Sequence, residues 1–376
     1  MKEIKESVKC TLNDEIIKYL PDLNDTMWFD IETTGLSASV STIYLIGLIV
    51  FNEGNPFLIQ LFADDLDSEV LILKKFLEIA ATKKTLIHFN GSTFDIPFIE
   101  KRCSRHDIPC DLTCSSIDIY KEIRPYKNFF KMSDTKQKTV EALLNTGRID
   151  ETNGGELIKV YSSYIKLALT NDKNAKPLED ILLLHNHDDV IGMLNLTPLV
   201  AFLDKINSLS PESPYHSAPF DISCEIISEE KIRLKTTTPL KGLSYSKAYE
   251  GMKLSLDADG ILSLVIDTTY DEMKFFYPDY KNYYYIPLED TAIHKSIGDF
   301  LPKDHKKKAT AATCYVRHKG RFIPCFINHA AIETFKREYK DKLFFIEVSK
   351  KFITDIELLS EYMYCAVNKI IKASNK

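Results

Sequence analysis

With 376 residues, 44% of them apolar and 27% charged, the chain has the balance of a folded globular protein and exceeds one ordinary hydrophobic core. Its longest apolar run, residues 43–51, is far shorter than the roughly 20 residues a membrane span needs. Residues 1–9 lead into no apolar signal core, so a cytoplasmic protein with no membrane partner is expected. The formal net charge of −6 excludes a protein that holds nucleic acid by overall charge, but not one with local basic patches around a metal-filled acidic centre.

In chain order, residues 27–31 form a short apolar strand that ends among acidic residues. Strands over 43–51 and 57–63 follow, separated by the turn-forming Asn52-Glu53-Gly54-Asn55. Apolar residues at helical spacing predict a helix over 68–81, a buried strand over 85–89 and a helix over 94–106. Further helices are expected over 135–145, 155–168 and 177–203, with Pro177 suited to a first helical turn. A meander of three strands followed by helix–strand–helix is an α/β order with a mixed central sheet. The break comes at 207–220, where three prolines and four serines follow an apolar helical stretch. The expected division is therefore a domain over 1–205, a linker over 206–220 and a β-rich, α+β domain over 221–376. In that last domain, strands are expected over 224–227, 231–237, 252–256 and 261–268, with 257–260 a hairpin-like turn. The eight cysteines contain no CxxC pair, and Cys110 and Cys114 have no second pair to complete a zinc site. They read as reduced thiols.

Three acidic motifs carry the chemistry. In Phe29-Asp30-Ile31-Glu32-Thr33-Thr34-Gly35-Leu36, the two-residue period of a strand sends Asp30 and Glu32 to one face. Two carboxylates held close repel unless a cation sits between them, and oxygen ligands suit Mg²⁺ or Mn²⁺. An isolated DxE is more often a solvated strand end, but the following Thr-Thr-Gly-Leu is more specific. The second motif, His88-Phe89-Asn90-Gly91-Ser92-Thr93-Phe94-Asp95, puts Asp95 at a helix start, where a carboxylate is also favoured simply by the helix dipole. The third, His185-Asn186-His187-Asp188-Asp189, sets His185 and Asp189 on one helical face, an imidazole beside a carboxylate. His187 and Asp188 fall on other faces and are expected to be solvated.

In this order the motifs resemble the DEDD 3′–5′ exonucleases of the ribonuclease-H-like superfamily. The fuller resemblance is to the YprB-like ribonuclease-H-like proteins of bacteria, carried by FDIETTGL, IYLIG, LIHFNGSTFDIPF, DIYKEIRP, KQKTVEALL, GGELIKVY and LLLHNHDDVIGM over residues 29–203. It implies two Mg²⁺ or Mn²⁺ ions, with Asp30 bridging them, Glu32 and Asp189 completing one site and Asp95 supporting the second. It further implies that Thr33 and Leu36 hold the terminal nucleotide, with Asn90 among the nucleic-acid contacts, and that His185 is the general base. DEDD exonucleases carry either a His five residues before the final Asp or a Tyr four before it. This chain has the histidine of one subgroup at the spacing of the other.

Between Lys121 and Lys138 six basic residues face two acidic ones, with Tyr120, Tyr126, Phe129 and Phe130 interleaved. Cations with aromatic platforms suit a single strand, which makes Lys136 and Lys138 candidate nucleic-acid contacts; a solvated face over core aromatics reads as well. The aromatic run 275–285 and the seven basic residues within 303–321 suggest a substrate clamp, against the blander reading of core aromatics and solvated charge. The expected function is a two-metal-ion nuclease, a 3′–5′ exonuclease acting on single-stranded DNA or RNA. The competing reading is a ribonuclease-H-like scaffold that binds nucleic acid without cutting it.

Overall fold

The computed structural model describes residues 1–9, 12–149, 154–210, 221–327 and 332–375. It divides into two compact units, Met1–Lys205 with Thr238–Leu243, and Ile206–Thr237 with Ser244–Lys376. Most of the expected linker, residues 211–220, lies outside the described residues, and its first three residues, 206–208, belong to the last turn of a long helix.

The first unit is built on six strands: β1 (Lys2–Ser7), β2 (Thr26–Thr33), β3 (Ile43–Asn52), β4 (Asn55–Phe62), β5 (Thr85–His88) and β6 (Ser115–Asp118). Their order is β1-β4-β3-β2-β5-β6. The pairs β1/β4, β3/β4 and β2/β3 are antiparallel, while β2/β5 and β5/β6 are parallel. This is the mixed sheet that a three-strand meander followed by crossover helices produces. The strands β1 and β6 go beyond the sequence reading. One is a charged edge strand and the other a four-residue strand, so neither shows the apolar alternation that marks a half-buried strand.

Helices α1 (Asp14–Ile17), α2 (Glu69–Ala80), α3 (Asp95–Arg105), α4 (Ile119–Ile123), α5 (Gln137–Leu144), α6 (Gly154–Ala168) and α7 (Ala175–Ser208) flank the sheet. Strand β3 is buried along nearly its whole length because both of its faces are covered. Alternation along β2 sorts its side chains. Phe29 packs on Phe76 of α2, with ring centroids 5.3 Å apart. Trp28 points the other way and donates its indole N–H to Thr197 Oγ1 of α7 at 3.2 Å. Asp30 and Glu32 share the face of Trp28, so they meet α7. The helix α7 runs through Pro198, and the hydroxyl of the preceding Thr197 returns to the Met193 carbonyl.

The second unit is β-rich. Strands β7 (Ser223–Ser228), β8 (Lys231–Thr237), β9 (Tyr245–Tyr249), β10 (Met252–Leu256) and β11 (Ile261–Asp267) form a sheet in the order β7-β8-β11-β10-β9. Six more follow: β12 (Thr269–Phe276), β13 (Tyr283–Ile286), β14 (Thr291–His294), β15 (Lys307–Lys308), β16 (Tyr315–Pro324) and β17 (Phe345–Glu347). They make two three-stranded sheets, β12-β16-β17 and β14-β13-β15. Helices α8 (Lys295–Gly298), α9 (Lys350–Thr354) and α10 (Ile356–Ser374) complete the unit. The hairpin turn at 257–260 is closed by Asp257, whose carboxylate accepts from the N–H groups of Asp259 and Ile261. Among the described residues no helix is long and apolar enough to cross a membrane, and the seven described cysteines are free thiols.

Candidate metal centre

Strand β5 pairs with β2 only along Thr26–Trp28, so β2 projects past its parallel neighbour. Beyond that point the N–H of Ile31 has no strand partner on the β5 side. It donates instead to Asp95 Oδ1 at 3.2 Å, from the first residue of α3. Asp95 is thus fixed beside Asp30 and Glu32 by a main-chain bond that any residue at 31 other than proline would supply. A register shift at Glu32/Thr33 ends the regular ladder at this place, and such irregularities re-aim side chains at strand ends.

From α7, His185 directs Nε2 at Glu32 Oε1 (3.4 Å) and Asp189 Oδ2 (3.1 Å). Glu32, His185 and Asp189 each offer a ligand atom, and these atoms all lie within 4.8 Å of one another. That spacing, with carboxylate and imidazole donors, fits a divalent ion. Asp30 stands beside this set and accepts from Asn186 Nδ2 at 3.4 Å. Asn186 in turn accepts from Gln60 Nε2 at 3.0 Å, and the same amide reaches the Leu183 carbonyl at 2.9 Å. Helix α7 comes this close to β3 because residue 47 is glycine. A Cβ there would stand 2.1 Å from Asn186 Oδ1 and 2.8 Å from Val190 Cγ2.

The electrostatics of the cluster follow from crowding. Loss of solvation raises Asp30 well above the usual carboxylate range, and the neighbouring charges of Asp95, Asp189 and Glu32 raise it further. Burial pushes Glu32 up to about 8 although His185 opposes the shift, and burial pushes Asp95 up to about 7 against the stabilising Ile31 N–H. Asp189 goes the other way. Burial alone would raise it, but the hydrogen bond and charge of His185, then those of Arg148, hold it below the usual value. Several carboxylates kept together out of water form a site short of positive charge, which is what an added divalent cation corrects.

Asp30, Glu32, Asp95, His185 and Asp189, all expected from sequence, therefore converge. Thr33 is buried and donates its hydroxyl to the Gly35 carbonyl at 2.9 Å. Leu36 is 87% exposed in the loop between β2 and β3, four residues on from Glu32. That loop is held from α3 by Arg102, whose Nη1 donates to the Ala38 carbonyl at 3.1 Å, and by Arg105 at the Ser39 carbonyl. Arg102 is itself fixed by buried Glu69, with Nε–Oε1 2.7 Å. Asn90 sits at φ 62° just after β5; its N–H donates to Asp118 and its side-chain oxygen holds Thr93. Its visible role is to shape the turn that leads to Asp95. Lys136 and Lys138 lie at the N-terminal turn of α5, away from the core.

Two expectations are corrected. Asp188 is not solvated: it is buried, and its Oδ2 accepts the Ile149 N–H at 2.9 Å. His187 next to it is only half-exposed, with Nδ1 3.0 Å from Asp188 Oδ1 and Nε2 3.4 Å from Glu6 of β1. Of the two readings left open for the aromatics interleaved with the basic stretch, Phe129 and Phe130 follow the core one. Phe129 and Phe130 are buried against each other, with centroids 5.0 Å apart. The residues missed by sequence reasoning are those that act through others: Asn186, Gln60, Tyr44, Arg148 and Asp118. Tyr44 donates to Glu32 Oε2 at 3.4 Å and stacks on Tyr161. Buried Asp118 takes the N–H groups of Asn90 and Ser92. Nothing in local spacing pairs such residues, but Asn186 inside the HNHDD motif was the signal most open to notice.

Residues 27–201 match the model of a family described as the RNase_H superfamily. No curated protein matches the sequence. Among solved structures, a family B DNA polymerase from the hyperthermophilic archaeon Pyrobaculum calidifontis is similar at 14% identity with a TM-score of 0.38. The similarity covers 50% of this chain and 26% of that one.

Proposed function

We propose that this chain, whose first unit belongs to the RNase_H superfamily over residues 27–201, is a metal-dependent 3′–5′ exonuclease acting on single-stranded DNA or RNA. The observation that carries the reading is the convergence of Asp30, Glu32, Asp95 and Asp189 from β2, α3 and α7 on one another, with His185 set against Glu32 and Asp189. Asp30, Glu32, Asp95 and Asp189 hold two Mg²⁺ or Mn²⁺ ions. Such ions, when bound, supply charge stabilisation for the attacking and leaving oxygens of a phosphodiester. His185 accepts the proton of the attacking water, and the Glu32 and Asp189 carboxylates beside Nε2 orient its ring. Thr33 and the exposed Leu36 hold the terminal nucleotide, Leu36 by packing on its base; Asn90, Lys136 and Lys138 serve the strand. Polarity and the DEDD assignment rest on the ordered motifs, and two ions rest on having four carboxylates rather than three.

A specific observation favours a second role for His185. Its Nε2 lies within the same ligand-atom set as Glu32 and Asp189, so it can ligate an ion instead of taking a proton. The alternative of a binding module without cleavage is opposed by the complete acidic set. The deciding experiment is incubation of the purified full chain with Mn²⁺ or Mg²⁺ and end-labelled single-stranded DNA and RNA, with products sized at short times. Stepwise shortening from the 3′ end that EDTA abolishes supports the reading. Retained binding with no shortening under either metal assigns the scaffold alternative.

A further inference from the structure

The side of Asp189 turned away from His185 is occupied by Arg148. Its Nη2 donates to Asp189 Oδ1, while Nε donates to Glu141 Oε2 at 2.8 Å and Nη2 to Glu141 Oε1 at 3.1 Å. Glu141 is buried on α5. Its Oε1 also accepts from Gln137 Nε2 at 2.8 Å, and that amide donates to the main-chain oxygen of Asp189 at 2.7 Å. Gly192, three residues on from Asp189, admits this contact. A Cβ there would lie 2.0 Å from Glu141 Oε1 and 2.8 Å from Gln137 Nε2. The next residue of the arginine's segment, Ile149, is anchored at 2.9 Å on Asp188. One guanidinium is thus shared by two carboxylates, and only one of them, Asp189, belongs to the candidate metal set.

We infer that Arg148 is a positioning residue that holds Asp189 in one orientation and competes with divalent cations for its carboxylate, so the clasp of Gln137, Glu141 and Arg148 tunes how tightly the site takes metal. The inference rests on the metal reading above. A fixed cation at one oxygen of Asp189 leaves the other for His185 or an ion, and it repels any ion that approaches. The clasp therefore orders Asp189 before metal arrives and keeps affinity below what the carboxylates alone would give. Arginine suits the task because its planar fork can bridge two carboxylates while its charge does not titrate away.

The test is Mn²⁺ binding by the purified full chain, read by the loss of the free-ion paramagnetic resonance signal, with folding followed by circular dichroism. Arg148→Gln keeps a hydrogen-bonding group and removes the charge; it should bind Mn²⁺ at least about tenfold tighter, the lower limit set by repulsion between a unit charge and a nearby divalent ion at the dielectric of bulk water. Arg148→Lys should stay near wild-type affinity. A purely structural role predicts weaker or equal binding in Arg148→Gln, and that result in a folded variant overturns the inference. If Arg148→Gln does not fold, Glu141→Gln decides: with its second carboxylate neutralised, Arg148 leans wholly on Asp189 and Mn²⁺ binding should weaken several-fold, whereas unchanged binding overturns the proposal. Wild-type protein that binds no Mn²⁺ at all would instead defeat the metal reading, and this inference with it.

Discussion

The two units treat charge in opposite ways. In the first, like charges are gathered away from water: Glu32, Asp95 and the partly accessible Asp30 and Asp189 crowd one strand end. In the second, charges lie at the surface and pair with opposite ones, across strands in Arg317–Glu272 (3.3 Å) and His318–Glu347 (2.8 Å), and from β12 to a loop in Lys274–Glu338 (2.7 Å). Its aromatics meet one another, a shared carboxylate or lysine ammonium groups. Tyr277 stacks on Tyr283 at 4.5 Å, Tyr285 and Tyr315 share Asp290, and Lys306 lies 4.8 Å over the Tyr284 ring. Exposed pairs contribute little, commonly well under about 1 kcal/mol each. Gathering carboxylates out of water costs stability and is kept where something else is gained. Burial of crowded like charge, more than its abundance, is what marks the chemistry of this chain.

The contrast is broken most sharply at the acids. Asp30→Asn or Asp189→Ala should lower cleavage by roughly 10³-fold or more, the order expected when several kcal/mol of charge stabilisation are lost. Circular dichroism should show a folded protein. Full turnover in a folded Asp30→Asn variant sinks the nuclease reading.

Next comes the helix α7 pair that separates site from surface. His185→Ala should cost roughly 10²–10⁴-fold in rate if its imidazole is the base, while Mn²⁺ binding measured by calorimetry persists. Loss of Mn²⁺ binding in that variant assigns it as a ligand. His187→Ala is the control and should change rate less than about threefold, within what a partly exposed side chain remote from the chemistry usually gives. A silent His185→Ala beside a damaging His187→Ala removes His185 from the site.

The smallest effects concern the basic surfaces. Replacing Lys136 and Lys138 with Ala should weaken single-strand binding and reduce the salt slope by up to about 1.4, near 0.7 for each phosphate no longer neutralised. The same measurement on Lys307→Ala with Lys308→Ala, both exposed on β15, asks whether the second unit touches the strand. Lys306 is a poorer choice because its ammonium already donates to the carbonyls of Gly298 and Asp299. An unaltered slope in the β15 double variant leaves those lysines as an ordinary solvated face and confines substrate to the first unit.

Local patterns in the chain determined a good deal. Alternation placed Asp30 and Glu32 on one face, helical spacing paired His185 with Asp189, and the apolar runs located β2 to β5 and α2, α3, α5, α6 and α7 within a few residues, α7 running further at its C-terminal end. These are short-range consequences of backbone geometry, written within a turn or a pleat. The edge strand β1, the support of Asp30 by Asn186 and Gln60, and the buried Asp188 were decided only in three dimensions. So was the grip of Arg148 and Glu141 on Asp189, for which Gly192 leaves room. Each of these depends on which residues distant in sequence are brought together, and a side chain's partner is set by that packing. The same distinction explains the basic-aromatic stretch: composition could place Phe129 and Phe130 beside lysines, but only the packed core determined that both rings face inward.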